Sequence, residues 1–508
     1  MRCLVIGIVV LVGALAHGQG FNRRYDAFGL DRAQGAWDIE FTANGYMAIS
    51  VSSDADSISP DSSFFHYSVL FTELNINGDK VNESRVFRPW HGTTSGWANC
   101  SDTIAGGGFV IGGATESLAS VIETYLFVAD PQGDTLWTRV FGGANQYWIG
   151  RQVKHTSDGG FLIVGDTDAS GFVDGFALKT DSLGNEQWRQ TYGWSNSEID
   201  GLLSCDLGPA NTYYMAGSRY LNNDNRDMWL QRTDTSGALL WRVSWGGQFD
   251  DGSGHMATLS DGHVIVANAR GYNFNGTLFR VALTKLDSTD GTILWDYEYG
   301  PEAPSTVLFA AKERPNGDII ACGVSYASGN QQGLLLRTNS AGDSIWMRSY
   351  YYQDTLITTG QGRFYDVLPT PDGGFIAAGS AYNPAGAPYP PGYSQDTWVV
   401  KVDSMGCIVP GCDGVGVQEL VTNLSDALSV YPNPASGSTT VQVELPQSMR
   451  GTALRLVLVN AQGQVTHEQT AQEGANALDL SIVAAGLYYV HLASATTWLS
   501  GAKLVVQH

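Results

Sequence analysis

The sequence predicts an all-β chain: a seven-bladed β-propeller of four-stranded sheets, followed by a small β-sandwich. Three observations predict it. A phrase of Asp, two residues, Gly, three residues and Trp recurs as Asp130-Gly133-Trp137, Asp181-Gly184-Trp188 and Asp234-Gly237-Trp241. It returns with one inserted residue as Asp287-Gly291-Trp295, then as Asn339-Gly342-Trp346. The tryptophans stand 51, 53, 54 and 51 residues apart, a period that signals stacked or radially arranged units. Second, seven short apolar runs begin near Tyr46, Phe109, Phe161, Tyr213, Val264, Ile319 and Phe375, most of them directly after a tight-turn signal. Third, 61 of 508 residues are glycine, 11% are aromatic and only 15% charged, a profile of short strands joined by glycine turns.

The elements follow in order. Residues 1–18 read as a signal peptide: Met1-Arg2, an apolar run from Cys3 to Ala16, and cleavage after Ala16 or Gly18. No later segment is apolar for long enough to cross a membrane as a helix. Each repeat then parses into four strands. In one cycle Phe161–Val164, Phe176–Lys179 and Gln187–Tyr192 supply the second, third and fourth strands. The first hairpin turns on Asp158-Gly159-Gly160, or later on Asp372-Gly373-Gly374, where glycine supplies positive φ. The second turns on the Asp-x-x-Gly element, whose Asp side chain caps the turn. A four-stranded meander cannot bury both faces alone, so copies must pack face to face. The recurring tryptophan is the wedge that such packing needs.

The seventh unit has a third strand, Thr397–Val402, and the turn Asp403-Ser-Met-Gly406, but no Trp strand follows. Residues 23–29 resemble Arg189–Gly193, so the N-terminal segment is expected to supply the missing outer strand and close the ring. The propeller is expected to run over 19–412 and a linker over 413–424. A sandwich over 425–508 opens on Leu428 and is built of about seven short alternating strands.

Two resemblances extend this reading. The repeated phrase resembles the tryptophan-docking repeat of pyrroloquinoline-quinone-type propellers over residues 21 to about 412, which implies blade shape. The quinoprotein dehydrogenases of that class carry adjacent cysteines; here no two cysteines are adjacent, so the quinone is not implied. The C-terminal stretch resembles the sorting domain of the type IX secretion system. Its three elements occur in order: Tyr431-Pro432-Asn433-Pro434, a strand-turn containing Gly463, and Gly486-x-Tyr488 followed by Lys503-Leu504-Val505. The resemblance implies passage through the periplasm of a Gram-negative bacterium and recognition by the type IX machinery. The cargo would then be released or attached to the outer surface.

The formal charge of −22 argues against a nucleic-acid partner and against adhesion to an anionic membrane. Cys407 and Cys412 flank a Pro-Gly turn and are expected to form a disulfide in an oxidising compartment. Cys205 and Cys322 sit in apolar strand patterns. No catalytic residue is assigned. Asp174, Asp227, Asp396 and Glu123 recur at one place in the repeat, which points to a structural role. There is no Gly-x-Ser-x-Gly elbow, and the histidines lack ligand spacing. No metal site is assigned and no cofactor is expected; Asp166-Thr-Asp168 and Asn222–Asp227 leave structural calcium open.

The second-to-third loops and the blade crossings share one face and vary, notably Ser52–His66 and Ala381–Gln395. Trp90, Trp97, Trp148, Trp194 and Tyr351 lie there as candidate ligand-stacking residues. The expected function is a monomeric, non-catalytic scaffold that binds glycan or protein. A secreted polysaccharide hydrolase or lyase, or a purely structural matrix component, are the alternatives.

Overall fold

A computed structural model gives the architecture of the chain. It describes residues 20–26, 34–54, 66–86, 92–116, 121–143, 146–194, 199–222, 225–272, 278–301, 304–326, 330–352, 361–382, 395–409, 412, 428–444, 454–460, 464–493 and 498–507. The signal peptide, Trp90, Gly463, the 413–424 linker and most of the Ser52–His66 and Ala381–Gln395 loops lie outside the described residues.

Strand β1 (Phe21–Tyr25) precedes the first complete sheet, β2 (Gln34–Phe41), β3 (Gly45–Asp54), β4 (His66–Asn75) and β5 (Lys80–Val86). In the second sheet the first strand is broken into β6 (Gly92–Ser95) and β7 (Ser101–Thr103), followed by β8 (Phe109–Glu116), β9 (Ile122–Ala129) and β10 (Thr135–Phe141). The third holds β11 (Trp148–His155), β12 (Phe161–Thr167), β13 (Asp174–Thr180) and β14 (Glu186–Tyr192). The fourth holds β15 (Asp200–Gly208), β16 (Thr212–Asn222), β17 (Asn225–Thr233) and β18 (Leu239–Trp245). The fifth holds β19 (Gly252–Thr258), β20 (Val264–Gly271), β21 (Phe279–Leu286) and β22 (Ile293–Glu298). The sixth holds β23 (Thr306–Glu313), β24 (Ile319–Ser325), β25 (Gln332–Thr338) and β26 (Ser344–Tyr350).

The seventh sheet is β27 (Gln361–Pro369), β28 (Phe375–Tyr382) and β29 (Gln395–Val402), and its fourth strand is β1. Phe21 pairs with Lys401 and Tyr25 with Thr397. The two ends of the propeller are therefore hydrogen-bonded to each other. First strands lie innermost, and each sheet packs on the next; β2 also packs on β27 and β28, which closes the ring.

Between blades, one contact repeats. The turn glycines Gly78, Gly133, Gly184, Gly237, Gly291, Gly342 and Gly406 all have positive φ. A Cβ on Gly184 would lie 2.8 Å from the Trp137 ring, and one on Gly291 would lie 2.8 Å from Trp241. Both φ and space thus demand glycine, and the tryptophan of one blade rests on the turn of the next. The Trp188 and Trp346 indoles donate to the carbonyls of Thr235 and Ser404. Four residues beyond the tryptophan position, Tyr192, Tyr299 and Tyr350 donate their hydroxyls to Gly237, Gly342 and Gly406. In β1, Phe21 takes the tryptophan's place against Gly78, and Tyr25 donates to the Gly78 carbonyl at 2.6 Å. The turn itself is held by its first residue: Asp181 Oδ1 accepts from Leu183 and Asn185, and Asn339 Oδ1 from Ala341 and Asp343.

A disulfide joins Cys407 to Cys412, while Cys100, Cys205 and Cys322 are buried thiols. The remaining strands form the sandwich: β30 (Leu428–Ser436), β31 (Ser438–Val443), β32 (Leu454–Asn460), β33 (Val465–Ala471), β34 (Gly474–Asp479), β35 (Gly486–Ala493) and β36 (Trp498–Val506). Strand β35 begins at Gly486; Ile482, four residues earlier, lies in a turn and is 88% exposed. The sandwich has its own core, with Val441, Leu456, Val490 and Leu504 buried. The disulfide packs against Val457 and Val459 of β32 and Ala493 of β35.

Removing the Tyr25 hydroxyl strands a buried carbonyl, so Tyr25→Phe is expected to cost about 1–2 kcal/mol. Deleting Phe21–Tyr25 exposes the β29 edge and is expected to abolish the cooperative thermal transition or cause aggregation. Calorimetry and light scattering measure both; unchanged melting in the deletion contradicts the closure.

Candidate functional site

The innermost strands line the channel, and they share a defect. Register shifts fall at Trp37 in β2, Arg151 in β11, Leu203 in β15, Phe309 in β23 and Tyr365 in β27. A bulged residue leaves the ladder, and the strand re-aims beyond it. The Trp37 ring centre lies 4.1 Å from that of Tyr365 and 4.5 Å from that of Trp97, both tilted pairs, and Phe309 lies 5.2 Å from Tyr365. Four blades thus contribute to one aromatic cluster.

Just past the bulges runs a belt of inter-blade hydrogen bonds. Asp38 accepts from the Ser101 backbone at 2.6 Å and its hydroxyl at 2.8 Å. Gln152 donates to the Asn99 carbonyl and accepts from the Cys205 N–H, bridging three blades. Ser204 donates to the Gly254 carbonyl and accepts from the Met256 N–H. One pleat further, Asp102 accepts from the His155 N–H and Asp206 from the Thr258 N–H. Glu313 takes both the N–H and the hydroxyl of Ser260.

Charge is concentrated here. Burial, and after it the charges of Asp366 and Glu40, hold the Asp38 carboxyl well above its usual range. Burial raises Glu40 to about 7, against the pull of Lys312. Burial alone would lower Lys154, but Asp102, Asp206 and Glu40 outweigh it and hold the ammonium charged. Lys312 donates to Asn99 Oδ1 at 2.8 Å and lies 3.9 Å from Asp366. Burial pulls His255 down to about 4, so its ring is neutral.

Above this belt the channel opens into a cavity of about 420 Å³ on the face of the tight turns. Lys154, Asp206, Lys312 and Glu313 line it, with Met256, Leu259 and Pro369 as its apolar part. Sequence reasoning missed this group. A signal was present: Asp102, Lys154 and Asp206 recur at intervals of 52 residues, each near the end of a first strand.

The aromatic residues expected to serve the opposite face are largely used in packing. Trp148 is 6% exposed, with Phe176 at its edge and the Arg189 guanidinium 4.5 Å from the ring centre. Trp194 lies between Arg219 and Arg242, each 4.2 Å from its ring, and meets the edge of Trp229. Neither ring is an open stacking platform: β13 and β14 of its own sheet cover Trp148, and β16, β17 and β18 of the fourth sheet cover Trp194. Trp97 belongs to the channel cluster, and Tyr351 is half-buried beside β1, its carbonyl accepting from Asn22. Asp174, Asp227 and Glu123 abut Gly193, Gly246 and Gly142 at the ends of the outer strands, while Asp396 pairs with Arg24 of β1. Asp166 pairs with Arg151 and Asp168 accepts from the Tyr147 N–H. Among the described residues, no three His, Cys, Asp or Glu side chains gather as a metal site.

In the sandwich the separated motifs converge. Asn433 donates to the Lys503 carbonyl at 2.7 Å and accepts from the Val505 N–H at 2.9 Å. Gly486 pairs with Val506 and Tyr488 with Leu504. Tyr431, Pro432, Pro434 and Lys503 are exposed beside this junction. Residues 429–507 match the family model described as the secretion system C-terminal sorting domain. This part of the chain is a sorting domain. It marks the protein for export, and the propeller is the cargo.

No curated protein matches the chain. Similar solved structures include a protein of unknown function from Dyadobacter fermentans DSM 18053, 9% identical with a TM-score of 0.39, covering 62% of this chain and all of that one. The β-propeller domain of the Trilobed protease from Pyrococcus furiosus is 9% identical with a TM-score of 0.39, covering 72% and 93%. YCF48 from Cyanidioschyzon merolae is 8% identical with a TM-score of 0.40, covering 76% and 99%.

The raised carboxyl of Glu40 sets a pH dependence. A group bound to its proton more tightly in the fold stabilises it fully below the unfolded value near 4.5, and that stability is lost as pH rises through about 7. Melting temperature is therefore expected to fall between pH 4.5 and 7 by an increment absent in Glu40→Gln. Parallel pH–melting profiles of the two proteins contradict this.

Proposed function

We propose that the chain is an exported, non-catalytic binding protein whose propeller holds a glycan or protein ligand outside the cell. The use of its carboxylates supports this reading. Glycoside hydrolysis needs two carboxyls free to reach a substrate, one to give a proton and one to attack or activate water. In the channel, Asp38, Asp102, Asp206 and Glu313 instead accept hydrogen bonds from neighbouring blades. Their arrangement serves ring assembly, and the channel mouth remains as a recess.

One observation favours the alternative of a polysaccharide-active hydrolase: Glu40, raised to about 7, is the kind of carboxyl that serves as a general acid. The two readings part in one experiment. The purified mature protein is tested on immobilised bacterial and plant polysaccharides and on surface proteins, for retention and for new reducing or unsaturated ends. Retention without product is expected. Product formation that Glu40→Gln abolishes would instead establish the hydrolase.

Delivery is separately testable. Truncation from Leu424 onward is expected to leave a folded propeller in the periplasm of the native host, detected by fractionation. Surface delivery of that truncation would refute the role of the tail.

A further inference from the structure

The cavity at the channel mouth has a chemistry of its own, which narrows the ligand of the proposed binding function. Its wall carries two cations, Lys154 and Lys312, and two carboxylates, Asp206 and Glu313, so its charges balance. Behind the wall, Asp102 accepts hydrogen bonds from Thr103 and His155. Thr258 also lines the cavity. Its N–H is fixed on Asp206, but its hydroxyl is buried without a hydrogen-bond partner. A buried, unsatisfied hydroxyl costs free energy that an incoming polar group recovers. Met256, Leu259 and Pro369 give the recess an apolar side. About 10 Å along the inner strands, three residues at the strand rise, the bulge residues Tyr365 and Phe309 and their aromatic cluster begin.

We infer that this cavity seats a single sugar ring, the neutral end of a glycan. The inference rests on the reading of the propeller as a binding module. An anionic ligand meets Asp206 and Glu313, and a cationic one meets Lys154 and Lys312; each leaves one pair of like charges facing it across a partly desolvated space. A neutral polyol has neither conflict. Its hydroxyls donate to the carboxylates, accept from the ammonium groups and complete the Thr258 hydroxyl, while Pro369 flanks the C–H face of the ring. The volume of about 420 Å³ falls within the range of small-ligand sites and suits one ring with its aglycone.

Saturation-transfer NMR on the full mature chain tests this. The probes are methyl β-glucoside, methyl α-mannoside and methyl β-galactoside, with glucuronate and glucosamine as charged analogues. At least one neutral glycoside is expected to bind, about tenfold more tightly than either charged analogue, a difference of about 1.4 kcal/mol. Ala257→Trp places a ring at the cavity wall and is expected to abolish the signal. Thr258→Val, a near-isosteric change, is expected to weaken binding roughly threefold to tenfold, and it decides the matter if Ala257→Trp does not fold. Binding that prefers a charged analogue, binding unchanged in both variants, or no binding of any neutral glycoside overturns the inference. Retention on a polysaccharide or protein that persists in Ala257→Trp would overturn it too, yet leave the broader binding function standing.

Discussion

The fold depends on one contact made over and over: an aromatic ring at the edge of one blade set on a positive-φ glycine turn of the next. Neither half is stable alone. The outer strand is an edge whose aromatic ring would face water, and the turn has a carbonyl, that of Gly237 or Gly342, pointing away from its own sheet. Together they bury the ring and satisfy the carbonyl, and the tyrosine four residues on locks the register. Because β1 carries Phe21 and Tyr25 at the corresponding positions, the same contact also welds the chain's start to its seventh sheet. A single interaction, made around the circle, becomes a closed object.

The inner belt solves a different problem. Inner strands converging on an axis leave bulged backbone that cannot pair across the channel, and buried N–H groups must find acceptors. Asp38, Asp102, Gln152, Ser204 and Asp206 supply them from the adjoining blade. The cost is a concentration of carboxylates in a confined space, met partly by Lys154 and Lys312 and partly by a burial that favours the protonated forms of Asp38 and Glu40. The same balance leaves the channel mouth polar yet without excess charge at its wall.

Much of the propeller was legible because its signals are local. A turn that needs Asp, Gly and Trp at fixed spacing writes its strands on either side, and the orphaned third strand Thr397–Val402 announces a partner elsewhere. The sorting domain was legible for a similar reason: Tyr431–Pro434 and Lys503–Val505 are short and ordered, although the Asn433 clasp between them is visible only in three dimensions. The channel was not legible in the same way. Glu40, Asp102, Lys154 and Lys312 acquire meaning only when four blades bring them together. The packing of Trp148 and Trp194 is hidden for a similar reason: sequence shows that an aromatic residue lies in a crossing, but not that Arg189 of β14, Arg219 of β16 and Arg242 of β18 will cover it.

Native-state hydrogen exchange tests the clasp most directly. If the N-terminal strand is an integral part of one cooperative ring, the amides of β1 and β29 between Phe21 and Tyr25 and between Thr397 and Lys401 should exchange only through global opening. Their protection should match that of the β13–β14 pairing in the third sheet. Protection in β1 lower by several orders of magnitude than in β14 would contradict the account, showing a frayed terminal strand laid on a ring that holds without it.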